Sequence, residues 1–191
     1  MSLALIVLAR QPSPGRCKRR LAATIGDQSA ARIQQRLLAH TVAVARQWQH
    51  TQAGAVVSLC LGHHQGSGGL GLRMQRQLGR AVRAGARAAV LGGSDLPGLS
   101  VQQIQQAFSA LNHAPLVLGP ACDGGYWLVG LTAAGQRQQR GRLFSGIGWG
   151  GSEVLQQTLQ RAAALQWSPQ LLRWQSDLDR IDDMAPWHGA A

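Results

Sequence analysis

The sequence predicts an α/β fold, a single domain of three α/β/α layers built on a mostly parallel sheet. Short apolar runs typical of buried strands alternate along the chain with longer amphipathic segments typical of helices. The length of 191 residues suits one domain, here residues 1–191, and a hydrophobic fraction of 45% can supply its core. The chain shows no internal repeat and no long linker that would divide it.

Six segments have the character of strands. The first, Leu3–Ala9, is a continuous apolar run, which indicates a strand buried on both faces of the sheet. It is short and has no basic residue before it, so we interpret it as a strand and not as a signal peptide. The other candidates are Ala55–Leu61, Ala88–Gly92, Leu116–Leu118, Tyr126–Leu131 and Leu171–Trp174.

Four segments have the character of helices. Apolar residues at helical spacing predict helices over Gln28–Trp48 and Leu70–Ala84. Ser100 and Ser152 each precede a further apolar pattern, so we predict that they cap two more helices. In open sheets of this class, ligands bind beyond the carboxyl ends of the strands. The residues that follow each strand are therefore the candidates for function.

The formal net charge of +11 raises nucleic acid as a partner. However, Lys18 is the only lysine among 19 basic residues, and the chain has only 8 acidic residues, so the charge reflects scarce acid more than a dedicated basic surface. The arginines that recur at helical spacing from Arg73 to Arg87 are interpreted as the solvated face of a helix, because no aromatic residues interleave with them. We therefore expect nucleic acid not to be a partner.

The cysteines and the apolar runs bear on where the protein works. The 3 cysteines are far apart and lack CxxC spacing, which predicts neither a disulfide framework nor a zinc site. No apolar run reaches the roughly 18 residues that a membrane span needs. We expect a protein of the reducing cytoplasm with no membrane span.

The loop after the first strand, Arg10–Leu21, combines two prolines, Gly15 and dense positive charge. Such a strand-to-helix loop can bind phosphate oxygens with backbone N–H groups and with basic side chains. The arginines alone would suit a solvated basic loop. Lys18 favours a phosphate site, because a chain that otherwise uses arginine keeps its single compact ammonium here.

Acidic residues also lie just after predicted strands. Asp95 follows a strand directly, Asp123 precedes two glycines, and Asp179 lies in the acidic stretch Asp177–Asp183. Each could be a turn or cap residue. Their shared edge favours function instead: Asp95 and Asp179 as ligands of Mg²⁺ or Mn²⁺, and Asp123 as a base or a hydroxyl-binding group. His63 and His64 lack further metal-ligand partners nearby and are interpreted as loop residues.

Six ordered motifs resemble one bacterial family, the rSAM/selenodomain-associated transferase 1 family, a relative of the nucleotide-diphospho-sugar transferases. Its elements PxPGxxKTRL, QGxGDLGxRM, GxDxPxL, GPxxDGGYxLxGL, LFxxIxW and DVDTxxDL look like Pro12–Leu21, Gln65–Met74, Gly93–Leu99, Gly119–Leu131, Leu143–Trp149 and Asp177–Met184.

The resemblance implies a glycosyltransferase-A fold with a divalent metal, Mg²⁺ or Mn²⁺, on a diphosphate. It assigns the metal to Asp95 and Asp179, and catalytic roles to Asp95, Asp123 and Lys18. It assigns the nucleotide, its phosphates and the transferred group to Arg10, Gly15, Lys18, Arg20, Gln65, Arg73, Gly124, Gly125 and Tyr126. The chain departs from the family pattern at Arg19, Gly69, Gly93, Gly148, Gly150, Gly151 and Arg180.

These features predict a metal-dependent glycosyltransferase that takes a nucleotide diphosphate-sugar donor and a small-molecule acceptor. The alternative is a nucleotidyltransferase that joins a nucleoside triphosphate to a phosphorylated small molecule and releases pyrophosphate. A nonenzymatic nucleic-acid-binding module is a third reading, and it would show a steep loss of affinity with salt.

Overall fold

The computed structural model describes residues 2–179, 181 and 183. Arg180, Asp182 and Met184, which belong to the last motif, lie outside the described residues. The six predicted strands are present, with bounds that differ by a few residues from those expected. They are β1 (Ser2–Ala9), β2 (Val56–Leu61), β3 (Ala86–Gly92), β4 (Leu116–Pro120), β5 (Tyr126–Thr132) and β6 (Gln170–Leu171).

The strands form one sheet in the order β2-β1-β3-β5-β4-β6. β5 runs antiparallel to β3 and β4, and the other pairs are parallel. Gly92 at the end of β3 pairs with Leu128 near the start of β5. The turn that leads into β5 therefore lies at the same edge as the carboxyl ends of β1 and β3, which is where ligands bind in such sheets.

Helices cover both faces of the sheet, which confirms the three-layer α/β fold. They are α1 (Arg19–Ile25), α2 (Asp27–Thr51), α3 (Leu70–Arg83), α4 (Val101–Ala110), α5 (Ala133–Gln139) and α6 (Val154–Ala164). One apolar cluster joins the sheet to α2 and α4, and another joins it to α3 and α6. In the first cluster Trp48 stacks on Phe108, with ring centroids 4.7 Å apart.

Serine caps one of the two helices that it is predicted to cap. Ser100 caps α4 through a capping box with Gln103, as predicted. Ser152 does not cap α6, because the helix begins one residue later, with Glu153 at the N-cap position. The predicted strand Leu171–Trp174 is reduced to two residues. In the described part of the chain, no helix is both long and apolar enough to cross a membrane.

Candidate active site

Lys18 is held at the centre of the basic loop in a buried position. Its backbone has φ 47° and ψ 44°, a left-handed conformation that is uncommon for a residue with a side chain. Only 3% of its side chain is exposed, and its Nζ lies 2.7 Å from Asp95 Oδ1 and 3.9 Å from Asp179 Oδ1. The same ammonium donates to the carbonyl of Leu178. Lys18 thus joins the loop, the end of β3 and the chain near position 179.

The structure brings Asp95, Asp179 and Arg20 into one charged group with Lys18. Asp95 and Asp179 are both partly exposed, and Arg20 Nη1 lies 3.1 Å from Asp179 Oδ2. The backbone N–H of Leu178 donates to the carbonyl of Asp95 at 2.9 Å, which fixes the two segments side by side. Three chain segments far apart in sequence meet here, at the carboxyl-end edge of the sheet where the sequence analysis predicts the site.

Gly15 and Arg10 complete the basic loop. Gly15 has φ 71°, which suits glycine, and it is exposed at the turn before Cys17. Arg10 directly follows β1 and is exposed. Arg10 and Arg20 thus place two guanidinium groups at the surface of this loop.

The turn Asp123–Gly125 packs on the start of α6. A Cβ on Gly124 would lie 1.8 Å from the carbonyl oxygen of Ser152, and φ at Gly124 is 88°, so only glycine fits. The N–H of Leu155 donates to the carbonyl of Gly124 at 2.9 Å. Asp123 Oδ1 accepts from the N–H of Gly125 at 2.8 Å, so its carboxylate is held at the surface of the turn. Close packing accounts for Gly124 without a ligand.

Carboxylates and aromatic rings meet at a cavity of about 230 Å³, which we call the main cavity. Asp95, Asp123 and Asp177 line it, together with the aromatic residues Tyr126, Trp127 and Trp149. The Tyr126 and Trp149 rings meet edge to face, with centroids 6.3 Å apart. Gly93 also lines this space, and a Cβ placed on it would meet no heavy atom within 4 Å.

Asp177 is a site residue that the sequence reasoning missed, since it singled out Asp179. Burial raises the pKa of the Asp177 carboxyl, and repulsion from Asp123 and Asp95 raises it further, while Lys18 opposes the shift. The available signal was the spacing, because residues two apart in an extended segment face the same side. The main cavity is therefore a concentration of negative charge in a basic chain.

A second cavity of about 260 Å³ shares a wall with the main cavity. Both are lined by Gly93, Asp95, Tyr126 and Trp127. The second cavity differs in its basic and amide side chains, because it is also lined by Arg10, Gln65 and Arg73.

Gln65 is buried, and its side-chain amide forms hydrogen bonds within the protein. Its Nε2 donates to the carbonyls of Ala9 and Cys60 at 2.7 and 3.2 Å, and its Oε1 accepts from Arg73 Nη1 at 2.7 Å. Arg73 is held beside the cavity, and its buried Nε–H has no hydrogen-bond partner among the described residues. Gln65 therefore positions Arg73, and both N–H groups of its amide are already bonded within the protein.

The arginine stripe of α3 is not simply a solvated face. Arg73 bonds to Gln65, and Arg76 donates to the carbonyls of Gln65 and Ser67 at 3.0 to 3.1 Å. The expectation of a solvated stripe was wrong for these two, because the loop before α3 folds back over the helix. Arginines that are bound internally are less available for nucleic acid.

Tyr126 stands on the wall that both cavities share. Burial raises the pKa of its phenol far above the ordinary value, and the Thr158 hydroxyl only partly opposes this. The group is therefore neutral at physiological pH.

Comparisons with known proteins agree with this fold. Residues 17–151 match the model of the family described as "uncharacterized protein conserved in bacteria (DUF2064)", and the chain belongs to that family. No curated protein matches the chain by sequence.

Solved structures share the architecture. A Desulfovibrio desulfuricans protein, provisionally named a nucleotide-diphospho-sugar transferase, is 27% identical with a TM-score of 0.82 over 98% of this chain and 86% of its own. The 4-diphosphocytidyl-2C-methyl-D-erythritol synthase of Anaerococcus prevotii is 8% identical, with a TM-score of 0.58 over 97% and 95% of the two chains. A Mycobacterium tuberculosis protein in complex with manganese is 14% identical, with a TM-score of 0.52 over 100% of both. The last two show the fold alone, and together the comparisons establish a transferase-type fold.

Proposed function

We propose that the chain is a glycosyltransferase that takes a nucleotide diphosphate-sugar donor and a small-molecule acceptor. The observation that carries this is the pair of adjoining cavities, one lined by arginines and one by carboxylates, with Asp95 on their common wall. A transfer reaction needs two substrates held side by side, and this arrangement suits an anionic donor next to an uncharged acceptor. The name of the D. desulfuricans relative supports the same class.

The donor occupies the second cavity in this proposal. Arg10 lines this cavity, and Arg20 is exposed in the same basic loop. Both would contact the diphosphate, together with the backbone at Gly15. Arg73, fixed by Gln65, offers an unused buried N–H to an acceptor atom of the donor. Lys18 lies behind the phosphates and supplies positive charge where the nucleoside diphosphate departs.

The residues fit a divalent cation that is held jointly by the protein and by the phosphates of the substrate. Of the described side chains, no three His, Cys, Asp or Glu form a group that could hold an ion unaided. Nucleotide sites commonly hold Mg²⁺ with one or two carboxylates and the substrate's own phosphates. Asp95 would be such a carboxylate, since it is half-exposed at the common wall, and Asp179 remains the predicted second ligand. A bound ion would neutralise charge on the diphosphate as it leaves.

The acceptor occupies the main cavity, where Asp123 would act as general base. Its Oδ1 is held by the Gly125 N–H, and the rest of the exposed carboxylate can take a proton. The acceptor oxygen forms a bond to the anomeric carbon of the sugar, and the bond from that carbon to the diphosphate oxygen breaks. The acceptor's proton goes to Asp123, and the electron pair leaves with the nucleoside diphosphate. Gly124, Gly125 and Tyr126 would shape the space around the transferred sugar.

A thermal-shift screen tests the proposal. The screen uses glucose and mannose linked to the diphosphates of uridine, guanosine, adenosine and cytidine, and the four matching nucleoside triphosphates. Each ligand is measured with and without Mn²⁺. One sugar nucleotide at a hundredfold excess over its Kd should raise Tm by about 5–10 °C, and only with Mn²⁺. Asp95→Asn should abolish this shift, whereas Glu153→Gln, which removes an exposed carboxylate, should retain it.

Two results would count against the proposal. An unchanged Mn²⁺-dependent shift in Asp95→Asn would remove Asp95 from the metal site. Release of pyrophosphate from a triphosphate, with sugar nucleotides left intact, would favour the nucleotidyltransferase alternative.

A further inference from the structure

The main cavity continues away from its carboxylates into an apolar recess between α2, α4 and the sheet. We define the recess by six of the residues that line the cavity: Leu5, Val7, Thr41, Ala45, Leu99 and Ile104. Four of them, all apolar, belong to the cluster that joins the sheet to α2 and α4, and Leu99 packs against it. Thr41 is the only polar side chain of the six.

Thr41 has a hydroxyl that its own helix does not use. It is 2% exposed, and its Oγ1 has no hydrogen-bond partner among the residues that the structure describes. Thr158, the buried threonine of α6, behaves as expected for a helix, since its Oγ1 donates to the carbonyl of Val154 at 2.8 Å. The difference shows that burial alone does not prevent this local bond.

A buried hydroxyl without a hydrogen-bond partner lowers the stability of the fold unless water or a ligand bonds to it. Water would do so poorly, because a buried water needs about two to four polar partners and the recess offers one. An organic group with a hydrocarbon body and one oxygen atom satisfies both the walls and the hydroxyl. A dry cavity of about 150 Å³ is enough for benzene, and the whole main cavity, of which the recess is the apolar end, has a volume of about 230 Å³.

We propose that the recess binds an uncharged hydrocarbon segment, of about the size of a benzene ring, that carries a hydroxyl or carbonyl oxygen bonded to Thr41. That this segment belongs to the acceptor rests on the proposed function. The acceptor then presents its reacting hydroxyl to Asp123 at the mouth of the same cavity. The polar acceptor of an ordinary sugar-phosphate enzyme would leave these apolar walls unused.

Two fluorinated probes test the recess by ¹⁹F NMR, without nucleotide or metal. 4-Fluorobenzyl alcohol and 4-fluorotoluene should both bind saturably, with the alcohol about three- to tenfold tighter because of Thr41. Thr41→Val keeps the side-chain shape, removes the hydroxyl, and should bring the alcohol to the affinity of the toluene. Ala45→Leu should weaken both probes by filling the recess.

The matched control is Thr132→Val, which removes a hydroxyl that accepts from the N–H of Gly135 at 3.0 Å at the start of α5 and lines neither cavity. It should lower Tm and leave both probe affinities unchanged, whereas Thr41→Val should keep or raise Tm. The proposal is overturned if neither probe binds saturably to the wild type, or if Thr41→Val leaves the preference for the alcohol intact.

The two proposals can fail separately. Probe binding with no Mn²⁺-dependent sugar-nucleotide shift keeps the recess and rejects the glycosyltransferase. The reverse result keeps the transferase and rejects the recess as a binding site.

Discussion

The two cavities share a wall but differ in how their polar groups are satisfied. In the second cavity Gln65 bonds to Ala9, Cys60 and Arg73, and beside it Lys18 bonds to Asp95 and Leu178. In the main cavity Asp177 is crowded by other carboxylates, and the hydroxyl of Thr41 has no partner within the described chain. The proposed donor side is thus largely built before a ligand binds, apart from the unpartnered Nε–H of Arg73, and the proposed acceptor side is completed by its ligand.

Replacing Lys18 should have the largest effect on stability, because it removes an ion pair and a hydrogen bond that are formed without any ligand. Lys18→Met leaves the Leu178 carbonyl and two carboxylates without their ammonium. We expect a loss of about 2 kcal/mol in the free energy of unfolding, less than for a fully buried pair because Asp95 is half-exposed. Urea unfolding measures this, and the exposed neighbour variant Arg19→Met should change it by less than about 0.5 kcal/mol.

Replacing Gln65 separates a positioning role from direct binding. Gln65→Leu removes the hydrogen bonds to two backbone carbonyls and releases Arg73, so it should lose about 1–3 kcal/mol of stability as well as donor affinity. Urea unfolding and donor titration are measured together, with the exposed Gln102→Leu as control. A loss of affinity at unchanged stability would mean that Gln65 binds the ligand itself.

The fold was more predictable from the sequence than the site. Apolar runs such as Leu3–Ala9 mark strands because both faces of this sheet are covered. The short helix α5 has no apolar periodicity to reveal it, since its sequence is AAGQRQQ. The antiparallel direction of β5 follows from pairing with β3, which is a tertiary choice that the strand's own residues do not encode.

The sequence identified candidate site residues that directly follow a strand or a turn. It missed those whose place in the site depends on tertiary packing. Asp95 and Asp123 were identified because each follows a strand or a turn. Asp177 and Asp179 are the same residue type in the same acidic stretch, so the sequence alone does not distinguish them. Asp179 belongs to the charged group because Arg20 and Lys18 lie close to it in the fold. Thr41 lies in the middle of α2, and α4, which forms another wall of the recess, begins 60 residues later at Val101. Whether the Thr41 hydroxyl finds a hydrogen-bond partner therefore depends on the whole fold.

Gly93→Asp would sharpen the comparison by adding a carboxylate to the common wall. A Cβ at Gly93 meets nothing within 4 Å, so the new side chain has room. We expect Mn²⁺ to bind about three- to tenfold more tightly, as for one added carboxylate ligand of modest strength. Electron paramagnetic resonance of free Mn²⁺ measures this, and Gly93→Asn, with the same shape and no charge, should give a smaller gain.

Asp177→Asn should give the smallest effect, and it has the opposite sign. Removing one of the crowded carboxylates relieves repulsion, so Tm at neutral pH should rise by about 2 °C. Differential scanning calorimetry measures this, with Glu153→Gln as the control for removal of one negative charge. A fall in Tm would show that the carboxylate is stabilised in the native state.

The most direct test of a donor side and an acceptor side is a crossed titration. Arg73→Met and Thr41→Val are each titrated with the sugar nucleotide selected by the thermal screen, in Mn²⁺, and with 4-fluorobenzyl alcohol. Arg73→Met should weaken the sugar nucleotide about tenfold and leave the alcohol unchanged, as expected for loss of a charged hydrogen bond. Thr41→Val should do the reverse. If both variants weaken the same ligand, the two cavities do not form separate donor and acceptor sites.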